Sequence, residues 1–328
     1  MIPVMNPAVD PVGLAALGLG ALRGPPAALR GALRVEEPME RHVSWRAGGP
    51  VSAFYQPADV ADLQSFLATR PAGEPILFVG LGSNLLVRDG GFHGTVVYTH
   101  HALGGIRAAG VIGSRHAFIA GGGVPAPHLA RFVARHDCEG AEWLAGIPGT
   151  VGGALAMNAG CYGGETWEVV VDVTTVDRAG TLRLRTREDY EIGYRHVARR
   201  FSGEEWFVAG TFAFEPGDGQ KAMSRMKSLL QRRVATQPLA TPNAGSVFRN
   251  PDGDHAARVI ESCGLKGFAV GGAQVSEKHA NFIVNTGAAT AADIEAVIEH
   301  VQATVKEKKG IELVREVHIV GRAGGAHG

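Results

Sequence analysis

The chain has 328 residues, 45% hydrophobic and 20% charged, which is long for one core and suggests two or three ordinary globular domains. Its 32 Lys and Arg balance 32 Asp and Glu, so no chain-wide field points to nucleic acid or to an anionic membrane surface. Cys138, Cys161 and Cys263 form no C-x-x-C pair, which argues against structural zinc and disulfides and for a reducing cytoplasm.

Residues 1–34 are rich in Ala, Gly, Leu and Pro and read as an extension, either loosely structured or an amphipathic helix laid on the body. The apolar stretch over residues 12–22 has no basic residue before it and follows Asp10. It is too short to cross a bilayer, so a signal peptide or anchor is not expected.

From residue 51 strand and helix patterns alternate: a strand over 52–55, a helix over 57–69, and a buried strand over 76–79. Gly80-Leu81-Gly82-Ser83-Asn84 follows at once. Glycines directly after a strand let backbone N–H groups approach phosphate oxygens, although Gly, Ser and Asn also build plain tight turns. The spacing fits neither G-x-G-x-x-G nor a P-loop.

Further on, a strand over 117–120 runs into Gly121-Gly122-Gly123, then a helix over 126–136 with Leu129, Phe132 and Val133 on one face. Residues 146–163 form another glycine cluster, whose first nine residues are expected to be a loop wrapped on an extended ligand. The 46 glycines are the composition's real deviation, and three such clusters make pure scaffolding the weaker account.

A hairpin is expected from residues 169–177 and 181–185, turned at Arg178-Ala179-Gly180. Glu191-Ile192-Gly193-Tyr194-Arg195 follows, in which Arg195 reads as an ordinary surface arginine. After a strand over 206–214 comes a helix over 223–234 ending in Arg232-Arg233, where cations suit the carbonyl end of the dipole and solvation is the commoner fate. Ser246 then sits in a turn framed by Asn243, Gly245, Asn250 and Pro251, where turn chemistry and catalysis both remain open.

The C-terminal part suggests a helix over 255–263, a turn at 264–267 and a strand over 281–285. Thr290 and Asp293 fit a capping box, and Ile294, Val297, Ile298, Val301 and Val305 trace a core stripe ended by Gly310. In a last strand Ile311, Leu313, Val317 and Ile319 share one face, leaving Glu316 opposite as an edge charge in water or a group held for chemistry. The residues alone favour the edge charge.

Trp45-Arg46-Ala47-Gly48-Gly49-Pro50, residues 79–84 and 146–163, Tyr194-Arg195, residues 243–251 and Glu316-Val317, in that order, resemble the UDP-N-acetylenolpyruvoylglucosamine reductase family. The resemblance implies an α+β fold: a two-subdomain FAD-binding region of the vanillyl-alcohol-oxidase (PCMH) type and a smaller C-terminal α+β substrate domain. The expected division is 1–34 extension, 35–104 and 105–220 FAD-binding subdomains, and 221–328 substrate domain. It implies cytoplasmic, NADPH-dependent reduction of a UDP-sugar enolpyruvyl ether through FAD, in peptidoglycan precursor synthesis. Since Ser83 and Asn84 follow Gly82, where covalent relatives in the wider superfamily carry histidine in or near the loop, noncovalent FAD is expected.

The same resemblance implies catalytic roles for Arg195, Ser246 and Glu316. It assigns FAD contacts to Gly80, Gly82, Ser83, Asn84, Leu85, Gly122, Gly146, Ile147, Pro148, Gly149, Thr150, Gly152, Gly153, Ala154 and Gly160, and substrate contacts to Asn250, Lys266 and His279, with no metal. Residues 232–238 resemble the shorter family branch, which lacks a tyrosine-bearing loop, so an open substrate site is expected. Val197 and His318 depart from the family pattern, which commonly has Ser and Arg there. The alternatives are a flavin oxidase of another alcohol or lactone, and a nonenzymatic flavin-binding protein.

Overall fold

A computed structural model describes residues 28–324; the apolar stretch over 12–22 lies outside the described residues. The first described strand, β1 (Ala32–Pro38), pairs antiparallel with β2 (Pro50–Gln56), so part of the expected extension is sheet. The helix α1 (Val60–Ala68) starts after Asp59 rather than at Pro57, because the Asp59 carboxylate accepts the Asp62 N–H and caps it. Then come β3 (Ile76–Val79), β4 (Leu85–Val87) and β5 (Phe92–Tyr98). The first sheet has the order β1-β2-β5-β3, with β5 parallel to both neighbours.

A second sheet follows, built from β6 (Ile106–Ile112), β7 (Arg115–Gly121), the short β8 (Cys138–Glu139), β11 (Val170–Asp177), β12 (Leu182–Arg185) and β15 (Glu205–Pro216). Its order is β12-β11-β15-β7-β6, with β8 on the end of β15. Phe118, Phe212 and Phe214 from this sheet pack with Leu129 and Val133 of α2 (Ala126–Arg135) in one apolar core. Leu63 and Phe66 of α1 pack with Val176 and Val208 of the second sheet, which joins the two sheets into one body.

The expected loop over 146–154 is not all loop. Its end opens α3 (Val151–Met157), capped by Thr150 through the Gly153 N–H, with Val151 and Leu155 buried. Glycine content hid this helix, yet small residues are what its docking requires: the Gly152 N–H donates to the Gly122 carbonyl at 2.8 Å. A Cβ on Gly152 would lie 3.0 Å from that oxygen. The ribbon β9 (Gly160–Cys161) with β10 (Gly164–Glu165) and the hairpin β13 (Tyr190–Gly193) with β14 (His196–Arg199) complete this region.

The long helix α4 (Gly219–Thr236) begins at Gly219 rather than Met223, because Asp218 accepts the N–H groups of Gln220 and Lys221. Beyond it lie α5 (Ala256–Ser262), the small sheet β16 (Ala269–Val270), β17 (Ala273–Val275) and β18 (Ile283–Asn285), and α6 (Ala291–Lys309). The expected stripe on α6 is buried, and Thr290 with Asp293 forms the capping box. The last strand is only β19 (His318–Val320), and it lies parallel to β4.

Trp45 and Leu86 are buried in the C-terminal core. The Trp45 indole donates to the Ile283 carbonyl at 2.8 Å, and the Asn285 amide donates to the Trp45 carbonyl at 2.9 Å. Asp89 accepts the Ala291 and Ala292 N–H groups, both at 2.9 Å, and Arg88 forms a two-pronged pair with Glu295. Residues 45–89 and 283–295 are therefore bolted together beside one cleft.

Candidate active site

The cleft has a volume of about 480 Å³ and lies where the first glycine loop, α3, the β13–β14 turn, the end of α4 and the serine turn converge. Gly82 has φ of +59°, the left-handed region that favours glycine. A Cβ there would also strike the His42 carbonyl. Among the described residues, the amides of Gly80, Leu81, Gly82, Ser83 and Asn84 donate to no protein acceptor. Free amides beside the apolar walls of Phe78, Val79, Ile147 and Pro148 suit a ligand that joins a flat aromatic ring to phosphates. A flavin dinucleotide has that composition, so the residues present fit FAD.

Arg195 occupies the β13–β14 turn with φ of +53°. Its Nε donates to Glu316 Oε1 at 3.2 Å, its Nη2 to the Gly160 carbonyl at 2.6 Å and its Nη1 to the Asn158 carbonyl at 3.3 Å. Glu165 lies 3.6 Å from Nη1. A guanidinium held on four sides cannot swing, so its charge is aimed before any ligand arrives.

Glu316 is no edge charge in water. Its side chain is 14% exposed, as is that of Arg195, and the two meet across 121 positions of sequence. Burial pushes the Glu316 carboxyl above its usual range, although the nearby Arg195 and Arg249 charges and the Arg195 hydrogen bond pull the other way. The residues 311–317 expected in a strand are irregular, and the Glu316 N–H donates to the Val247 carbonyl at 2.8 Å. That bond sets Glu316 next to Ser246.

The serine turn is fixed from behind. Gly245 has φ of +75°, and Asn243 accepts its N–H at 3.0 Å. Buried Asn281 accepts the Phe248 N–H at 3.0 Å and donates to the Phe248 carbonyl at 2.8 Å, while its own carbonyl accepts the Val247 N–H at 2.9 Å. Ser246 thereby faces the cleft that also holds Arg195, Glu316 and the glycine loop.

The sequence is 54% identical over 302 residues to UDP-N-acetylenolpyruvoylglucosamine reductase of Thiobacillus denitrificans, covering 89% of this chain and 93% of the relative. That of Alkalilimnicola ehrlichii is 55% identical over 293 residues, covering 89% and 96%. The chain belongs to the UDP-N-acetylenolpyruvoylglucosamine reductase family. Residues 237–320 match the model for the C-terminal domain of that reductase, and residues 51–185 match an FAD binding domain. The crystal structure of the reductase from Thermus caldophilus superposes with a TM-score of 0.71 at 28% identity, covering 89% of this chain and 99% of that one.

Family membership decides the fold class in favour of the α+β flavoprotein architecture, and it decides against the oxidase and nonenzymatic alternatives. Of the FAD positions expected from the family pattern, all line the cleft except Gly122 and Gly152, whose mutual hydrogen bond holds α3 one layer behind it. Asn250 lines the cleft as well. Lys266 does not, and is paired with Glu261 at 2.7 Å. His279 lines a neighbouring pocket of about 680 Å³, where burial lowers its pKa.

Val197, at the position where the family commonly has Ser, packs against the apolar core of the second sheet. His318 lines the cleft and donates its backbone N–H to the Asn84 carbonyl at 3.0 Å. Arg233, for which solvation reads as the commoner fate, is half-buried and lines the cleft, as does Gln237, which the sequence did not single out. The available signal was the spacing from Arg233 to Gln237, which aligns the two side chains at the end of α4.

Proposed function

We propose that this chain reduces the enolpyruvyl group of UDP-N-acetylglucosamine enolpyruvate to UDP-N-acetylmuramate, in peptidoglycan precursor synthesis, with the roles of its residues as follows. Bound FAD supplies the redox chemistry, carrying two electrons from NADPH to the enolpyruvyl double bond. The free amides of residues 80–84 hold the anionic part of that cofactor, and the absence of His or Cys among those five residues supports noncovalent attachment.

Hydride addition at C3 of the enolpyruvyl group drives negative charge through C2 into the carboxylate. Arg195, permanently charged and clamped in place, stabilises that charge. Glu316 assists in its protonated form, which its burial favours; an ionised carboxylate there would repel the developing enolate. Ser246 gives its proton to C2. An alcohol is a weak acid in water, but an enolate is a strong enough base, and a positioned donor contributes roughly 10²- to 10⁴-fold in rate.

Asn250 contacts the sugar nucleotide from the cleft wall and His279 from the adjoining pocket. Lys266 reaches ligand only by leaving Glu261. Three apolar clusters centred in 35–104, 105–220 and 221–328 support that division, although Leu63 and Phe66 pack with Val176 and Val208, Met226 joins the second core, and Trp45 and Leu86 cross into the last. Among the described residues no helix is long and apolar enough to cross a membrane, and a nucleotide-activated sugar with NADPH supports action in the cytoplasm.

The observation that carries these roles is the meeting of Arg195, Glu316 and Ser246 in the cleft that the free amides border. The test is to purify the protein, record its flavin absorbance and follow NADPH oxidation with and without the enolpyruvyl sugar nucleotide. Ser246→Ala should leave flavin reduction by NADPH near wild type and slow reoxidation by the sugar nucleotide at least roughly 100-fold. Equal slowing of both half-reactions would make Ser246 a structural residue.

A further inference from the structure

Two arginines line the active-site cleft, and their surroundings differ. Arg195 spends its donors on Glu316 and two backbone carbonyls. Arg233, on the last turn of α4, is half-buried in the same cleft, and among the described residues no carboxylate lies within salt-bridge distance of it. Its guanidinium makes one hydrogen bond to protein among those residues, from Nε to Gln237 Oε1 at 2.8 Å. Both terminal nitrogens therefore keep their donors. The ionisable groups that face it are the Cys161 thiol and the Tyr162 phenol, neither of which carries charge near neutral pH.

A half-buried guanidinium without an anion is expensive to keep, because burial disfavours its charge and nothing nearby repays it. Such a group is completed by a ligand anion, and its forked donors match phosphate or carboxylate oxygens. Arg195 already serves the enolpyruvyl carboxylate in the reading above, so Arg233 has a different anion to serve. Gln237 shows where that ligand continues: it lines both the main cleft and the neighbouring pocket, together with Arg232 and His279. With its Oε1 accepting from Arg233, the Gln237 amide nitrogen remains a donor. His279 adds a ring nitrogen, Nδ1, that is buried with no partner among the described residues.

We infer that Arg233, oriented by Gln237, binds the diphosphate of a nucleotide whose nucleoside end extends into the pocket lined by Arg232 and His279. The inference rests on the family's reaction only in naming the ligands: NADPH and the UDP-sugar each carry a nucleoside diphosphate and each must leave its reactive end near the flavin. One cation at the junction of cleft and pocket then serves whichever of them is bound.

The experiment uses the FAD-loaded protein, with UDP alone and NADP⁺ as the probes, and measures affinity by calorimetry on wild type, Arg233→Gln, Arg233→Lys and Arg195→Gln. Removing the charge should weaken UDP about 10- to 100-fold, with partial recovery in Arg233→Lys and little change in Arg195→Gln. In steady state Arg233→Gln should raise KM for the sugar nucleotide by a similar factor while kcat at saturation changes less than about threefold.

Weakening of UDP and NADP⁺ together assigns the site to both ligands, and weakening of one alone assigns it to that one. Unchanged affinity for both in a folded, yellow Arg233→Gln protein overturns the inference. Loss of flavin from both Arg233→Gln and Arg233→Lys also overturns it, since Arg233 would then be holding the cofactor. If wild type binds UDP through Arg233 yet does not turn over the enolpyruvyl sugar, the assigned reaction fails and the anion site stands.

Discussion

Replacing Asn281 with Leu tests whether the serine turn owes its position to one buried side chain. The amide group of Asn281 satisfies both the N–H and the carbonyl of Phe248, at 3.0 and 2.8 Å, in a setting where Asn281 and Phe248 are nearly inaccessible to water. Leucine keeps approximate volume and removes both partners. Each buried backbone group left unpaired costs about 1–3 kcal/mol, so the pair predicts a loss of roughly 2–4 kcal/mol once the turn relaxes to rescue part of it.

Relaxation has a chemical signature. Val247, whose N–H donates to the Asn281 carbonyl and whose own carbonyl accepts the Glu316 N–H, lies between Ser246 and Phe248. A shift of the turn therefore moves Ser246 and Glu316 together. Urea unfolding should report the stability loss, and stopped-flow absorbance should show reoxidation by the sugar nucleotide slowed at least tenfold while reduction by NADPH stays within about twofold. A variant less than about 0.5 kcal/mol destabilised, with both half-reactions at wild-type rates, would refute the claim that Asn281 holds the turn.

Three further outcomes follow from geometry. Glu316 has a carboxyl raised by burial, so proton uptake favours the folded state: this stability is present below the ordinary glutamate value, about pH 4, and is lost as pH rises through the raised folded value. Glu316→Gln, compared with wild type by denaturation across pH, should therefore gain relative stability over that window and then level off, while its reoxidation slows about 10²-fold or more. Glu295 has the opposite sign: Arg88, the leading cause, holds its carboxyl below the usual range, so the contribution of this pair is lost as pH falls through that lowered value. Arg88→Met should shrink that acid-side loss in an unfolding titration, leaving the smaller share that Arg315 supplies. Gly82→Ala, at φ of +59° against the His42 carbonyl, should cost at least about 1 kcal/mol and yield protein with reduced flavin absorbance on purification.

Where the sequence was legible, the cause was local. The strand Ile76–Val79 is a buried run with a glycine stop, and the stripe on Ala291–Lys309 carries its own cap and terminator. Local signals failed where partners lie far along the chain. The helix Val151–Met157 looks like loop because its glycines answer to Gly122, and Glu316 looks like an edge charge because its partner Arg195 sits in a turn on another sheet. Arg232 and Arg233 show the limit most clearly. Adjacent on one helix end and identical in type, they face different pockets, and only the packing of α4 against the cleft distinguishes them.

The parallel pairing of β19 with β4 has a consequence for how the protein is made. Leu85, Leu86 and Val87 form a strand whose partner, His318–Val320, is translated much later, and Trp45 waits for Ile283 in the same way. Residues 88–317 are made before this strand acquires its parallel neighbour. During that interval Trp45 and Leu86 stay open to chaperones or to misassociation, and a chain halted before the C-terminal core is made has no means of covering them.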